Sequence, residues 1–181
     1  LASIPGYTGR SGMPSGPYIQ YWPALIDSKF IKENVHFEGK TIEVEPTSQL
    51  DFEETYYQKK PYENEVPSYE NVSKAKFGSL YGTRSGDKGG CANLGVWAKT
   101  QEAYSYLYEF LTIEKLKELL PDLKQYEIER YELPNILSLN FYVHDILQDG
   151  VSSSTRLDGQ AKSLGEYLRA KDIEIPDFLK N

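Results

Sequence analysis

The chain has 181 residues and a formal net charge of −7 at pH 7. That is enough for one domain, or for a domain with an appendage, that buries a sizeable core. Its acids are spread along the sequence and no basic run could follow a phosphate backbone, so we expect no nucleic acid partner. No stretch approaches the roughly 20 apolar residues of a membrane span, and residues 1–10 lack the pattern of a signal peptide, so we expect no membrane partner.

Cysteine and histidine are scarce, which limits the chemistry open to the chain. Cys91 is the only cysteine, so no internal disulfide can form, and we expect a reducing, cytoplasmic compartment. Only His36 and His144 accompany it, and we predict no metal and no cofactor. Asp145 and Asp149 beside His144 fit either a hard-cation site or a turn after a strand.

The first part of the chain, residues 1–46, is predicted to be extended and then to form a hairpin. Glycines and prolines throughout residues 1–23 exclude regular periodicity and favour an extended segment. Residues 24–31 predict a short helix, and apolar residues that alternate on both sides of residues 38–39 predict two paired strands. The leucine start and the early glycine and proline content suggest a processed product or a piece of a longer protein.

Residues 47–74 have the composition of an acidic linker, because acids outnumber bases and no apolar pattern is sustained. Its tyrosines are unusual for a free linker: Tyr56, Tyr57, Tyr62 and Tyr69. Either the segment is free, or part of it lies against a folded surface.

Regular patterns resume in residues 75–181. The predicted strands are residues 76–83, 94–98, 125–133, 136–144 and 172–176. The predicted helices start near Ala103, at Thr112 and at the serine run of residues 152–154, the last helix carrying the stripe Leu157, Ala161, Leu164 and Leu168. From residue 94 the order is βαββαβ, which predicts an α+β, ferredoxin-like sandwich with both long helices on one face and residues 76–83 as an added N-terminal strand.

The stretch RSGDKGGCANLG, residues 84–95, is predicted to join the first two of these strands. Successive N–H groups of a glycine-rich loop can point inward and bind an anion, with two basic side chains adding positive charge. It is not a P-loop, because glycine follows the lysine where that motif has serine or threonine. The candidate substrate- or anion-binding residues here are Arg84, Ser85, Gly86, Asp87, Lys88, Gly89 and Gly90. The alternative is that the glycines only supply positive φ angles for a hairpin connection.

Other residues have both a functional and a structural interpretation. Ser153 and Arg156 stand where a helix is predicted to begin, where they either bind an anion or cap the helix. Cys91 is either a nucleophile or a small, partly buried thiol; a nucleophile needs a partner histidine, and the sequence places no histidine against it. Glu129 is either a proton-transfer carboxylate or part of a solvated strand face.

The helix near Ala103 carries Tyr104, Tyr106 and Tyr108, which point around the helix instead of along one stripe. We therefore expect some of these rings to be exposed and to contact another domain or subunit. On this basis the chain is expected to form a homo-oligomer.

Three blocks of the sequence carry a resemblance to a known family: RSGDKGGCANLGVWAK, then FLTIEKLKELLPD with ERYELPNILSLNF, then DGVSSSTRLDGQAKSLGEYLRAKDIEIP. In this order and spacing they are similar to the C-terminal ferredoxin-like domain of the acyclic terpene utilisation protein AtuA family, over about residues 76–176. The opening PGYTGRSGMPSGPYIQYWPALI resembles the last segment of that family's large N-terminal domain, the bulk of which does not precede it here. The resemblance thus implies a domain tail in residues 1–46, a linker in residues 47–74 and a complete small domain in residues 75–181.

The resemblance implies a role in the bacterial breakdown of acyclic terpenoids such as citronellol and geraniol. The implied chemistry is lyase- or hydratase-like, on a branched 3-hydroxyacyl-CoA thioester, at a site shared with the N-terminal domain or a partner subunit. Lys88 would then hold a carboxylate or a phosphate of coenzyme A, and Arg84 and Asn93 would orient it. The chain alone is expected to be inactive, and the alternative is a non-catalytic oligomerisation or interaction module.

Overall fold

The computed structural model describes residues 22–44, 62–63 and 65–180. Most of the predicted extended segment, and the linker with Tyr56 and Tyr57, lie outside the described residues. The described residues divide into two compact units, a smaller one within residues 22–44 and a larger one within residues 62–63 and 65–180.

The smaller unit contains the predicted hairpin. Strands β1 (Glu33–Phe37) and β2 (Lys40–Val44) pair in antiparallel fashion. Glu38 and Gly39 between them both have positive φ, 48° and 74°, which is the conformation of a tight two-residue hairpin turn. The helix predicted for residues 24–31 is wrong: only Ser28–Phe30 form one 3-10 turn, with the Asp27 side chain accepting a hydrogen bond from the Lys29 N–H.

Two short strands of the larger unit form a sheet of their own, β3 (Val72–Lys76) and β8 (Asp172–Pro176). The predicted bounds of β8 are confirmed. The single strand predicted for residues 76–83 is wrong, because Phe77–Leu80 form a helical turn, α1. Phe77 and Tyr81 are both buried with ring centroids 4.9 Å apart. Positions four apart are separated by about 6 Å along a helix but by about 13 Å along a strand, so a strand would not bring these two rings into contact.

A four-stranded antiparallel sheet forms the centre of the larger unit. In chain order its strands are β4 (Gly82–Lys88), β5 (Cys91–Trp97), β6 (Ile128–Leu133) and β7 (Ser138–Val143). In space the order is β4-β5-β7-β6, so β4 and β6 are the edge strands, and β4 takes the position beside β5. The predicted strand pair around residues 134–135 is confirmed as β6 and β7, which a 3-10 turn at Pro134–Ile136 connects.

The longer helices are α2 (Gln101–Phe110), α3 (Ile113–Leu119) and α4 (Ser163–Arg169). Thr112 caps α3 as predicted, accepting a hydrogen bond from the Lys115 N–H at 3.1 Å. The helix predicted from the serine run begins about ten residues later, and Leu157 of its stripe is exposed. The start is set by Asp158, whose carboxylate accepts hydrogen bonds from the backbone N–H groups of Lys162 and Ser163, both at 2.9 Å.

One face of the central sheet bears the hydrophobic core. Alternate residues of β5 and β7 are fully buried there: Ala92, Leu94, Val96, Leu139, Phe141 and Val143. The helices contribute residues such as Leu107, Leu116 and Leu168 to the same cluster, which confirms the predicted α+β sandwich. The opposite face, which we call the open face, carries the intervening side chains, which are half-buried or exposed.

Within the described residues, no helix has the length and apolar content needed to cross a membrane.

Candidate functional site

The glycine-rich stretch is a tight hairpin rather than a twelve-residue loop. Strand β4 runs to Lys88 and β5 resumes at Cys91, so that only Gly89 and Gly90 turn. Gly89 has a φ of 61°, and a Cβ on Gly90 would lie 2.1 Å from the backbone oxygen of Gln148. Gly89 thus supplies the positive φ angle of the structural alternative, whereas Gly90 must be glycine because of this close approach. The turn is also far shorter than the loop expected from the sequence.

Strand alternation divides the predicted binding residues between two faces. Arg84, Gly86 and Lys88 lie on the open face, and Asn93 lies opposite Gly86 on the same face. A Cβ on Gly86 would meet nothing within 4 Å, so the surface between the polar side chains is accessible. Ser85 belongs to the other face, as Asp87 does by the same alternation.

The side chains on the open face already have some protein partners. Lys88 Nζ donates to the backbone oxygen of Asp87 at 2.9 Å, and Asn93 Nδ2 donates to Asn140 Oδ1 at 3.3 Å. These bonds hold a lysine and a carboxamide beside the hairpin turn. Anion binding by these residues stays a prediction.

Ser85 has a structural contact, because its hydroxyl accepts a hydrogen bond from the Gly165 N–H at 3.0 Å. A Cβ on Gly165 would lie 2.9 Å from Thr83 Oγ1 and 3.3 Å from Thr83 Cβ. Helix α4 therefore approaches β4 closely at a glycine, and Ser85 bonds the two elements together.

Ser153 and Arg156 lie in the irregular segment between β7 and α4. The Ser153 backbone N–H and hydroxyl both bond the carbonyl oxygen of Gly150, at 3.1 and 3.3 Å, and the Arg156 N–H donates to Ser154 Oγ at 3.3 Å. No helix begins among the described residues between β7 and the start of α4 at Ser163. The unpaired backbone N–H groups of a helix N-terminus, which the sequence predicted here as an anion site, are therefore not formed by Ser153 and Arg156. A role in binding for these two residues stays a prediction that rests on the side chains alone.

Two adjoining cavities of about 300 and 250 Å³ lie along β4 and share Thr83 and Trp97; we term them together the β4 groove. The first is also lined by Arg84, Ser85, Lys162, Gly165 and Glu166. The second extends past Gly82 to Lys99 and Arg169. Two of the predicted residues, Arg84 and Ser85, thus line the groove, whereas Ser153 and Arg156 are not among its lining residues.

The β4 groove is strongly basic in an acidic protein. Arg84, Lys99, Lys162 and Arg169 are all exposed at its walls, and Glu166 is the only acid among the described lining residues. Glu166 Oε1 lies 3.5 Å from Arg169 Nη1, so these two charges offset each other. The other three cations have no carboxylate partner within the described part of the chain. Such a local excess of positive charge attracts anions against the net charge of the chain.

Two features of the β4 groove were missed by sequence reasoning. Thr83 is only 8% exposed, and its hydroxyl is buried with no hydrogen-bond partner among the described residues. The Trp97 ring lies against Gly82, where a Cβ would stand 2.1 Å from the ring, and the residue remains 41% exposed. A tryptophan out of phase with Leu94 and Val96 was a signal available in the sequence, since it had to lie on the solvated face.

Cys91 begins β5 beside the turn and has several polar neighbours. Its Sγ accepts a hydrogen bond from the Asp145 N–H at 3.5 Å, and a hydrogen bond with the thiol raises the pKa of Tyr142 above its usual range. Ala92 pairs with Val143, so Cys91 and His144 stand at adjacent ends of β5 and β7. The sequence could not place a histidine near this cysteine, and strand pairing does so.

His144 in turn contacts Glu129, with its Nε2 2.6 Å from Glu129 Oε1. The Tyr131 hydroxyl donates to the other carboxylate oxygen. Both bonds lower the pKa of Glu129, and the bond from Tyr131 has the larger effect. The carboxylate is therefore ionised and paired. Glu129 lies on the solvated face of β6, and within the described residues no group of three or more His, Cys, Asp or Glu side chains is arranged to hold a metal ion.

A larger cavity of about 480 Å³ lies between the β3–β8 sheet and the start of α2. Its floor is apolar, with Leu80, Ile175 and Leu179, and Lys99 and Lys180 lie at its rim. None of the residues predicted from the sequence lines it. The β4 groove is therefore the cavity that coincides with the sequence-based site.

The predicted tyrosine surface on α2 is wrong. Tyr104 is fully buried, and Tyr106 is 8% exposed with its hydroxyl donating to the Glu174 backbone oxygen at 3.1 Å. Tyr62 and Tyr69 of the predicted linker pack against these rings, with centroids 5.4 and 6.0 Å apart. That part of the linker thus lies on the folded domain, and the rings expected at an interface are occupied internally.

The larger unit is a ferredoxin-like α+β sandwich with a basic groove beside an added edge strand. Residues 76–174, more than half of the chain, match the family model described as the AtuA ferredoxin-like domain, and the chain belongs to that family. This confirms the resemblance found in the sequence for the ferredoxin-like domain, and the resemblance of the opening segment stays a prediction. No curated protein and no solved structure matches the chain.

Proposed function

We propose that this domain is an accessory, substrate-binding part of an enzyme of branched acyl-CoA catabolism, and that its β4 side holds the anionic part of the substrate. The observation that carries the proposal is the concentration of cations around β4 in a chain of net charge −7. Arg84, Lys88 and Asn93 share the open face there, and an exposed carboxylate or phosphate can bond to all three residue types.

The chemistry itself is assigned to a site shared with a large N-terminal domain or a partner subunit. Membership of the AtuA ferredoxin-like domain family supports this assignment, as does the resemblance of residues 1–46 to the tail of such a domain. The described residues hold one histidine–carboxylate pair, and its glutamate lies on a solvated sheet face. Lyase- or hydratase-like turnover of a branched 3-hydroxyacyl-CoA, in the bacterial cytoplasm, is the activity proposed for the assembled protein.

The test is a calorimetric titration of the 181-residue chain with coenzyme A, a branched acyl-CoA thioester and a free dicarboxylate. Lys88→Ala should weaken binding about tenfold, since a charge-assisted hydrogen bond is worth roughly 1.5–3 kcal/mol. Lys124→Ala, an exposed lysine that precedes β6 at the other edge of the sheet, is the matched control. Equal binding by both variants would contradict the proposal, and so would turnover by this chain alone.

A second function, an interaction module, is favoured by the smaller unit. Val35 and Phe37 of β1 and Ile42 and Val44 of β2 share one face of the hairpin, and all four are at least 41% exposed. A two-stranded hairpin is at best marginally stable alone, so this face needs a covering partner. Sedimentation of the chain with and without Ile42→Ser distinguishes the cases, because only an assembly through this face would dissociate in the variant.

A further inference from the structure

We propose that the β4 groove binds a nucleotide, with the base stacked on Trp97 and the phosphates held by Arg84 and Lys162. The inference rests on the proposed function, which places an anionic substrate on the β4 side, and it specifies the chemical class of the group that enters the groove. Three independent features of the groove support it: an aromatic surface, cations without carboxylate partners among the described residues, and a hydroxyl that these residues leave unsatisfied.

The aromatic surface is the exposed side of the Trp97 indole. Trp97 ends β5, and its ring lies over Gly82, the residue paired with it on β4. A side chain at position 82 would occupy the place of the ring, so the glycine allows the indole to lie against the edge strand. Because 41% of Trp97 is exposed, the part of the ring that does not contact Gly82 offers a surface on which a planar base can stack.

The cations lie on both sides of this platform. Arg84 and Lys162 line the first cavity with Trp97, and Lys99 lines the second with the same ring. A base on the indole therefore has basic side chains within the same groove in either direction. Arginine binds phosphate through two parallel N–H groups, whereas lysine contributes a point charge. A neutral aromatic ligand would leave these charges unused, and an anion without a ring would leave the indole exposed.

The hydroxyl is that of Thr83, which lines both cavities and is more than nine-tenths buried. A buried hydroxyl without a partner costs free energy, and such groups in folded proteins are usually satisfied by a protein group, a water molecule or a ligand. Its Oγ1 lies against Gly165 of α4, where a Cβ would stand 2.9 Å away. A small outward shift of the start of α4 on binding would let a ribose hydroxyl or a bridging water of the stacked nucleotide supply the missing bond.

The volume of the groove agrees with this class of ligand. Cavities that hold small molecules are typically about 300 to 1,000 Å³, and the two adjoining parts of the groove together fall within that range. The nucleotide can be free or can be the adenosine part of coenzyme A, because both offer the same base and phosphates. Titration with ADP and with coenzyme A separates these sources.

The chain has two tryptophans, Trp22 and Trp97. The test uses the full chain with the substitution Trp22→Phe, so that Trp97 is the one tryptophan that remains. Fluorescence is followed during titration with ADP, adenosine 3′,5′-bisphosphate, coenzyme A, adenosine and pyrophosphate. ADP should quench Trp97 and bind at least tenfold more tightly than either adenosine or pyrophosphate. Tighter binding of coenzyme A than of ADP would identify the coenzyme as the source, and tighter binding of ADP than of coenzyme A would identify a free nucleotide.

The variants are Trp97→Phe, Trp97→Leu and Lys162→Gln, with Lys124→Gln as the matched control at the other sheet edge. The affinities of the variants are measured by calorimetry, because the Trp97 variants lack the fluorophore. ADP affinity should fall about tenfold in Trp97→Leu, recover in part in Trp97→Phe and fall in Lys162→Gln with a reduced dependence on salt. Circular dichroism melting checks that each variant is folded. Since Trp97→Phe keeps a ring over Gly82, it tests stacking even if the leucine variant unfolds.

The inference is overturned if pyrophosphate binds as tightly as ADP, or if both Trp97 variants bind ADP like the parent. In that case a Lys88-dependent binding of an acyl-CoA thioester would still support the proposed function. If no nucleotide binds and the Lys88→Ala titration also shows no effect, both proposals fail together.

Discussion

Thr83→Val should stabilise the free protein, which is an uncommon outcome for a change inside a folded domain. Valine has the shape of threonine and the same branching at Cβ, so it fills the same space between β4 and α4. The change removes a hydroxyl that is buried without a partner among the described residues. Leaving such a group unsatisfied costs about 1–3 kcal/mol, and the variant should recover about 1 kcal/mol of unfolding free energy.

The measurement is urea unfolding followed by circular dichroism, with a thermal melt alongside. For a domain of about 100 residues, 1 kcal/mol corresponds to a rise of about 4–8 °C in Tm. Ser85→Ala is the control, because Ser85 lies on the same face of β4 and its hydroxyl does accept a bond, from the Gly165 N–H. That variant should lose about 1 kcal/mol.

A loss of stability in Thr83→Val as large as that in Ser85→Ala would refute the reasoning, since it would mean that the Thr83 hydroxyl has a partner in the free protein. A gain in stability together with weaker ADP binding would be the signature of a hydroxyl reserved for a ligand. The two readouts move in opposite directions, so a general effect on folding cannot produce both.

Three further predictions concern the cap of α4, the packing of Trp97 and the titration of two buried tyrosines. Asp158→Ala removes the carboxylate that caps α4 and should cost about 1 kcal/mol of unfolding free energy, measured by urea unfolding; an unchanged midpoint would show that the cap is not needed. Gly82→Ala should displace the Trp97 ring and shift its fluorescence, because the new Cβ would stand 2.1 Å from the ring. Burial raises the pKa of Tyr104 and of Tyr106 to about 12. Because tyrosine is neutral when protonated and its unfolded pKa is about 10, their contribution to stability is complete below pH 10 and is lost as the pH rises towards 12. Absorbance titration at alkaline pH should therefore show a late class of tyrosines, and uniform titration near pH 10 would contradict it.

The sequence predicted the elements whose pattern is local. The hairpin around Glu38 and Gly39, the cap at Thr112 and the bounds of β8 all follow from neighbouring residues. The errors arise where local signals compete. Phe77 and Tyr81 fit a helical turn as well as an apolar strand, and the serine run resembles a cap although the Asp158 carboxylate provides the real one.

The alternation of side chains along β4 was also not recognisable in the glycine-rich stretch, because Gly86 has no side chain to mark a face.

The candidate site was predictable only in part for a different reason. Arg84 stood in a recognisable motif, whereas Lys162 reaches the same groove from a segment nearly eighty residues later in the chain. Whether two residues so far apart in sequence line the same groove depends on which edge of the sheet a helix covers, and the hydrophobic periodicity of the sequence does not specify that edge.

The bond between Ser85 and Gly165 joins residues 80 positions apart. During synthesis, every residue of the motif at β4 leaves the ribosome long before the helix that forms the opposite wall of the groove. A nascent chain that ends before α4 would carry Arg84, Lys88 and Asn93 but would have no groove to bind with. The groove therefore forms only when the domain is complete, and under the proposed function a binding assay on chains truncated at their C-terminal end would report on folding as directly as on chemistry.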